Sequence, residues 1–230
     1  MLSRLFLFAA LLSATAHAGT VLTVPPERPE RDRTYVFYLH GRIVEDRGVR
    51  PVDTRFGLYD YPGILDALSA RGAVVVSAQR PHAADPDEYA GKIVAQIEGL
   101  LRASVPERRI VVVGFSKGGM IATRVSSFLR RPGVRYALLA ACWDSQDEPQ
   151  LRLTGQVLAL RETSDDLAGR SCRYLAERSE RPVSYRELEL STGKSHGAFY
   201  LPQREWLDPV MDWIDAPAPT QEPAAAKAPG

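Results

Sequence analysis

Six stretches of this chain are short runs of strand-forming residues: Thr34–Leu39, Ala73–Ser77, Ile110–Val113, Tyr136–Ala141, Gln156–Leu160 and Val183–Leu190. A strand with one wet face alternates apolar and polar side chains. Continuous Val/Leu runs instead fit strands covered on both faces. Helical spacing falls between the runs. Ile64, Leu65 and Leu68 share one face, as do Ile93, Ile97, Leu100 and Leu101. So do Ile121, Val125, Phe128 and Leu129, in a helix that stops at Pro132-Gly133. Strands alternating with helices predict an α/β domain on a mainly parallel sheet flanked by helices. Such sheets carry their chemistry at the carboxyl ends of the strands.

The ends of the chain read differently. Met1 to Arg4 carries one positive charge, Leu5–Leu12 is an unbroken apolar run, and Ala16-His17-Ala18 offers small residues at the two positions a signal peptidase reads. Residues 1–18 are therefore expected to be a signal peptide cleaved after Ala18, placing the protein in the periplasm or outside the cell. Residues 19–33 read as a polar, Pro-containing arm, 34–215 as the α/β domain, and 216–230 as a disordered Pro/Ala-rich tail. At 230 residues the chain can bury a sizeable core. Its formal charge of +1 gives no excess to draw it onto nucleic acid. An exported chain with two cysteines, Cys142 and Cys172, is expected to join them in a disulfide. Clustered Cys/His ligands for a metal are missing, and no organic cofactor is implied.

Gly114-Phe115-Ser116-Lys117-Gly118 stands where the Ile110–Val113 strand gives way to a helix. In a G-x-S-x-G turn of this kind the serine is held in a strained conformation at the sheet edge. The flanking glycines, Gly114 and Gly118, are needed because a Cβ would collide with strand or helix. The helix N-terminus beneath favours negative charge. The order G-x-x-x-x-G-K-[ST] of a phosphate loop is not met.

A serine hydroxyl needs a base, and the base an orienting acid. His17 leaves with the signal peptide, His40 closes the first core strand, and His82 lies in a Pro-rich loop. His196, in a Gly/Ser loop just past the last strand, is the base candidate. Asp165, in the loop after Gln156–Leu160, is the acid candidate, with Asp166 the near alternative and Asp144 the remote one. Two backbone N–H groups must face the developing oxyanion. One is expected from Lys117, the other from Arg42, in the turn shaped by His40 and Gly41. The Lys117 side chain is expected to be solvated or to face substrate.

On these residues the chain resembles the α/β-hydrolase family from Thr34 to Ile214, and within it the small bacterial exported serine esterases and acyl hydrolases. The likeness rests on the His40-Gly41 turn, the Gly114–Gly118 elbow, Asp165 after the penultimate strand and His196 after the last. It implies a mostly parallel sheet flanked by helices and a Ser116–His196–Asp165 serine-hydrolase mechanism. The family's glycine-rich lipase oxyanion loop is not present after His40.

The stretch from Cys142 to Gly155 is too short for a large lid. The Arg42–Tyr61 connection carries Arg42, Glu45, Asp46, Arg47, Arg50, Asp53 and Arg55, and is expected to overhang the oxyanion side. A small or polar acyl substrate is the expectation, including an anionic one met by arginines. The alternatives are a thioesterase or amidase of the same fold, or a non-catalytic exported binding protein.

Overall fold

The computed structural model describes residues 19–143, 150–179 and 184–217. In chain order the elements are β1 (Thr20–Leu22), β2 (Tyr35–Leu39), α1 (Arg42–Arg47), β3 (Val52–Asp53), β4 (Gly57–Leu58), α2 (Tyr61–Ser69) and β5 (Val74–Val76). Then come α3 (Pro86–Arg102), β6 (Ile110–Phe115), α4 (Lys117–Leu129), β7 (Arg135–Leu139), β8 (Gln156–Glu162), α5 (Arg173–Glu177), β9 (Ser184–Leu190) and α6 (Arg204–Asp215). The seven-stranded sheet has the order β1-β5-β2-β6-β7-β8-β9, and every pair in it is parallel. A small antiparallel hairpin, β3–β4, stands apart from it.

The central strands are apolar throughout because both faces are covered. Along β6, Ile110 and Val112 enter one core with Ile93, Ile97 and Val125 from α3 and α4. Val111, Val113 and Phe115 enter the other, with Ile64 and Leu68 from α2 and Trp206 and Val210 from α6. A period of two along the strand divides its side chains between two apolar layers.

Three expectations need correction. The 19–33 segment is not wholly an arm: Thr20–Leu22 pairs with β5 as an edge strand. Ser184–Leu190 is a strand, but an edge strand with half-exposed, charged side chains rather than one buried on both faces. Such charges suit an edge, where they discourage pairing with another chain. Phe128 is exposed, because the buried stripe of α4 follows Ile121, Val125 and Leu129 at four-residue spacing. Among the described residues no helix is long and apolar enough to cross a membrane. The signal-peptide segment 1–18, Asp144, Val183 and the tail beyond Pro217 lie outside the described residues.

Candidate active site

The nucleophile turn is built by close backbone approach. β6 runs to Phe115, and Ser116 follows with φ 53° and ψ −121°, a conformation that favours glycine. The Ser116 N–H donates to the Leu139 carbonyl at 2.9 Å, which fixes the turn to β7. A Cβ on Gly114 would lie 2.3 Å from the Gly118 carbonyl oxygen, and one on Gly118 would lie 1.8 Å from the Leu39 carbonyl oxygen. Neither position admits a side chain.

The structure brings Ser116, His196 and Asp165 together. His196 lies in the 3-10 turn Ser195–Phe199 after β9, and Asp165 in the loop after β8. His196 Nε2 is 3.0 Å from Ser116 Oγ, and Nδ1 is 2.8 Å from Asp165 Oδ2. Asp165 Oδ1 accepts the N–H groups of Leu167 (2.9 Å) and Ala168 (3.1 Å). Burial pushes the Asp165 carboxyl up. The His196 hydrogen bond, the His196 charge and the two amides outweigh it, and hold the group below its ordinary value. An ionised Asp165 can only accept, so Nδ1 carries the proton and Nε2 is left to accept from the serine hydroxyl. Phe115, Phe56 and Tyr200 surround the imidazole, at ring separations of 4.8, 5.9 and 6.5 Å. Asp166, the near alternative for the acid, is turned outward to Arg55, whose single Nη2 donates to both carboxylate oxygens at 2.8 and 2.9 Å.

The His40-Gly41 turn passes beside the serine. A Cβ on Gly41 would lie 3.0 Å from the Phe115 ring and 3.7 Å from Ser116 Cβ. Arg42 and Lys117 open α1 and α4, so their N–H groups have no acceptor within the helix. His40 does not face the cleft. Its Nδ1–H donates to the Gly41 carbonyl at 2.9 Å, and its Nε2 accepts the Arg80 N–H at 2.9 Å.

Beneath this turn lies an ion network that sequence reasoning missed. Glu45, on α1, pairs with Arg80 Nε through Oε1 and with Lys117 Nζ through Oε2, each at 2.6 Å. A guanidinium N–H of Arg80 also donates to the His40 carbonyl. Lys117 lines the cleft, but its ammonium is not solvated: it is engaged with the buried Glu45 carboxylate. Glu162, at the end of β8, is a second enclosed carboxylate the sequence did not single out. Residue type gives no signal for either. Only the fold shows that they are buried.

The cleft above Ser116 has a volume of about 770 Å³. Met120, Trp143, Leu167 and Ala168 give it an apolar wall, while Arg42, Asp46, His82 and Asp85 give it a polar one. Of the charged residues in the Arg42–Tyr61 connection, only Arg42, Glu45 and Asp46 reach it. Arg50 pairs with Asp60, Arg55 with Asp166, and Arg47 donates to the Val52 carbonyl. The expectation that several arginines await an anionic substrate therefore lacks its residues. A disulfide joins Cys142 and Cys172, and Cys142 also bridges Gly169 in the acid loop.

No family model matches the chain, and no curated protein matches it. Solved structures do. SOBER1 from Arabidopsis thaliana superposes with a TM-score of 0.51 at 15% identity, over 80% of this chain and 98% of that one. A single-residue variant of SOBER1 gives 0.54 at 13% identity, over 79% and 98%. A YdeN-like hydrolase from Pectobacterium atrosepticum gives 0.48 at 15% identity, over 80% and 91%. The SOBER1 likeness, with a parallel sheet flanked by helices, shows the α/β-hydrolase fold. Identities this low speak of the fold alone.

Proposed function

We propose that the protein is an exported serine hydrolase that cleaves an ester of a small or polar acyl substrate through an acyl-enzyme. The observation that carries this reading is the unbroken line from Asp165 Oδ2 through His196 to Ser116 Oγ, with contacts of 2.8 and 3.0 Å. His196 Nε2 takes the serine proton as Oγ attacks the acyl carbonyl. Asp165 holds the imidazole in its Nδ1–H form and stabilises the imidazolium that results. The N–H groups of Arg42 and Lys117 receive the oxyanion. His196 then protonates the leaving group, and water hydrolyses the acyl-enzyme by the same steps in turn.

The polar side of the cleft, formed by Arg42, Asp46, His82 and Asp85, supports a polar acyl group. The disulfide supports an oxidising compartment, either the periplasm or the medium.

The test is labelling of the oxidised mature protein with a fluorophosphonate probe, mapped by mass spectrometry. Label on Ser116 is expected, absent in Ser116→Ala and much slowed in His196→Ala. A folded wild type that takes no label would overturn the reading in favour of a binding protein. A panel of ester, thioester and amide substrates then assigns the bond, and turnover that rises steadily with acyl length would sink the small-substrate part.

A further inference from the structure

The loops that carry Asp165 and His196 come from different strands, and one buried carboxylate stands between them. Glu162 Oε2 accepts from the acid loop: the Ser164 N–H at 2.6 Å and the Ser164 hydroxyl at 2.5 Å. Glu162 Oε1 accepts from the histidine loop: the N–H groups of Thr192 (2.8 Å) and Gly193 (2.9 Å) and the Thr192 hydroxyl (3.3 Å). Ser164 extends the link, since its Oγ accepts the Ser195 N–H at 3.2 Å. Ser164 and Ser195 are the residues immediately before Asp165 and His196.

We infer that Glu162 is a positioning residue, each of its oxygens holding one loop so that Asp165 and His196 meet in register. The inference rests on the triad reading above. It follows from what the side chain accepts. Five donors converge on two oxygens, and none of the five belongs to a regular element that would place it otherwise. Gly193 and Ser195 have φ of 68° and 51°, so the histidine loop adopts a shape that local preference does not provide. Charge-assisted hydrogen bonds from loop amides are the strong kind, and a fully enclosed carboxylate with every lone pair engaged gives a rigid anchor. Burial alone would push the Glu162 carboxyl up. The Ser164, Gly193 and Thr192 donors outweigh it and keep the group ionised. Replacing one oxygen by an NH₂ sets donor against donor on one loop while leaving the side chain's volume intact.

The experiment compares wild type, Glu162→Gln and Ser164→Ala in three measurements. These are kcat and KM on p-nitrophenyl acetate, the rate of fluorophosphonate labelling, and the far-downfield proton resonance of the His196 Nδ1–H···Asp165 bond. Asp165→Asn identifies that resonance by removing it. In Glu162→Gln, kcat and labelling are expected to fall about 10²-fold with KM within about threefold, as for a misplaced catalytic group. The resonance is expected to broaden or vanish. Ser164 is exposed, so Ser164→Ala tests the same link should Glu162→Gln not fold. There kcat is expected to fall several-fold, with a shifted resonance. Folded Glu162→Gln with wild-type kcat and resonance overturns the positioning role and leaves the triad standing. Ser164→Ala matching wild type overturns it too if Glu162→Gln is not obtained. A wild type that neither labels nor turns over ester removes the triad reading itself.

Discussion

The backbone N–H of Arg80 donates to Nε2 of His40 at 2.9 Å, and nothing of the His40 ring reaches solvent. A proton on Nε2 would face that donor. Burial first, and the Arg80 charge second, push the His40 pKa down from 6.5 to about 3. Between those values the unfolded chain binds a proton that the folded chain refuses, so stability falls as pH falls. The loss is expected at about 1.4 kcal/mol per pH unit below pH ~6.5. Asp165, whose folded value is lowered, stabilises above its ordinary 3.8 and loses that contribution only at still lower pH. Urea unfolding of wild type and His40→Gln between about pH 4.5 and 6.5 separates the two groups, with a shallower slope in the variant. Equal slopes would rule out His40 as the source.

Ser116 holds a conformation suited to glycine, with φ 53° and ψ −121°. Alanine keeps that strain and glycine relieves it, at the cost of extra freedom in the unfolded chain. Ser116→Gly is expected to be about 1 kcal/mol more stable than Ser116→Ala, with both inactive. Chemical denaturation of the pair checks this. A less stable glycine variant would show that the turn is not strained.

At Gly118 the opposite holds. A Cβ there would sit 1.8 Å from the Leu39 carbonyl oxygen, and backbone cannot swing aside as a side-chain tip can. Gly118→Ala must part α4 from β2, at about 3 kcal/mol or more. A lower melting temperature and lost fluorophosphonate labelling are expected together. A variant as stable and reactive as wild type would contradict the close approach.

These glycines also show how far the sequence could be read. Gly114, Ser116 and Gly118 announce themselves, because a strand-to-helix turn that tight admits few residue types. His196 and Asp165 are found by their place after strands. The central strands are legible because burial on both faces leaves a continuous apolar run. β1 is not, because a short edge strand keeps polar residues and resembles loop, and β9 is legible as a strand but not as an edge. Glu45, Arg80 and Glu162 stayed silent for a physical reason. A charged residue normally sits in water, and only long-range packing reveals that these three are enclosed and what they meet.

The Glu45 network permits a ranking of its members. Removing one partner from a buried pair leaves an uncompensated charge, typically at about 3–5 kcal/mol. Lys117→Met leaves Glu45 still paired to Arg80, and the cost is expected nearer 1–2 kcal/mol. Glu45→Gln strands the fully enclosed Arg80 and is expected to cost about 3–5 kcal/mol. Urea unfolding midpoints measure both. If Lys117→Met proves the more damaging, Glu45 is not the hub.

The disulfide joins Cys142, in the loop after β7 and beside Trp143 of the cleft wall, to Cys172 at the start of α5. The Cys142–Gly169 bridge runs into the segment that supplies Leu167 and Ala168 to the same wall. Closing a loop across a sequence separation of 30 residues restricts the unfolded chain by about 3–4 kcal/mol in the chain-entropy account. Cys142→Ala/Cys172→Ala is therefore expected to lose about that much stability, and reduced wild type a similar amount. Activity should respond unevenly. Asp165 remains held by the Leu167 and Ala168 amides and by its bond to His196, while the wall gains freedom to shift. KM on p-nitrophenyl butyrate is accordingly expected to rise several-fold with kcat little changed. A fall in kcat at constant KM would place the bridge's influence on the acid loop instead of the cleft.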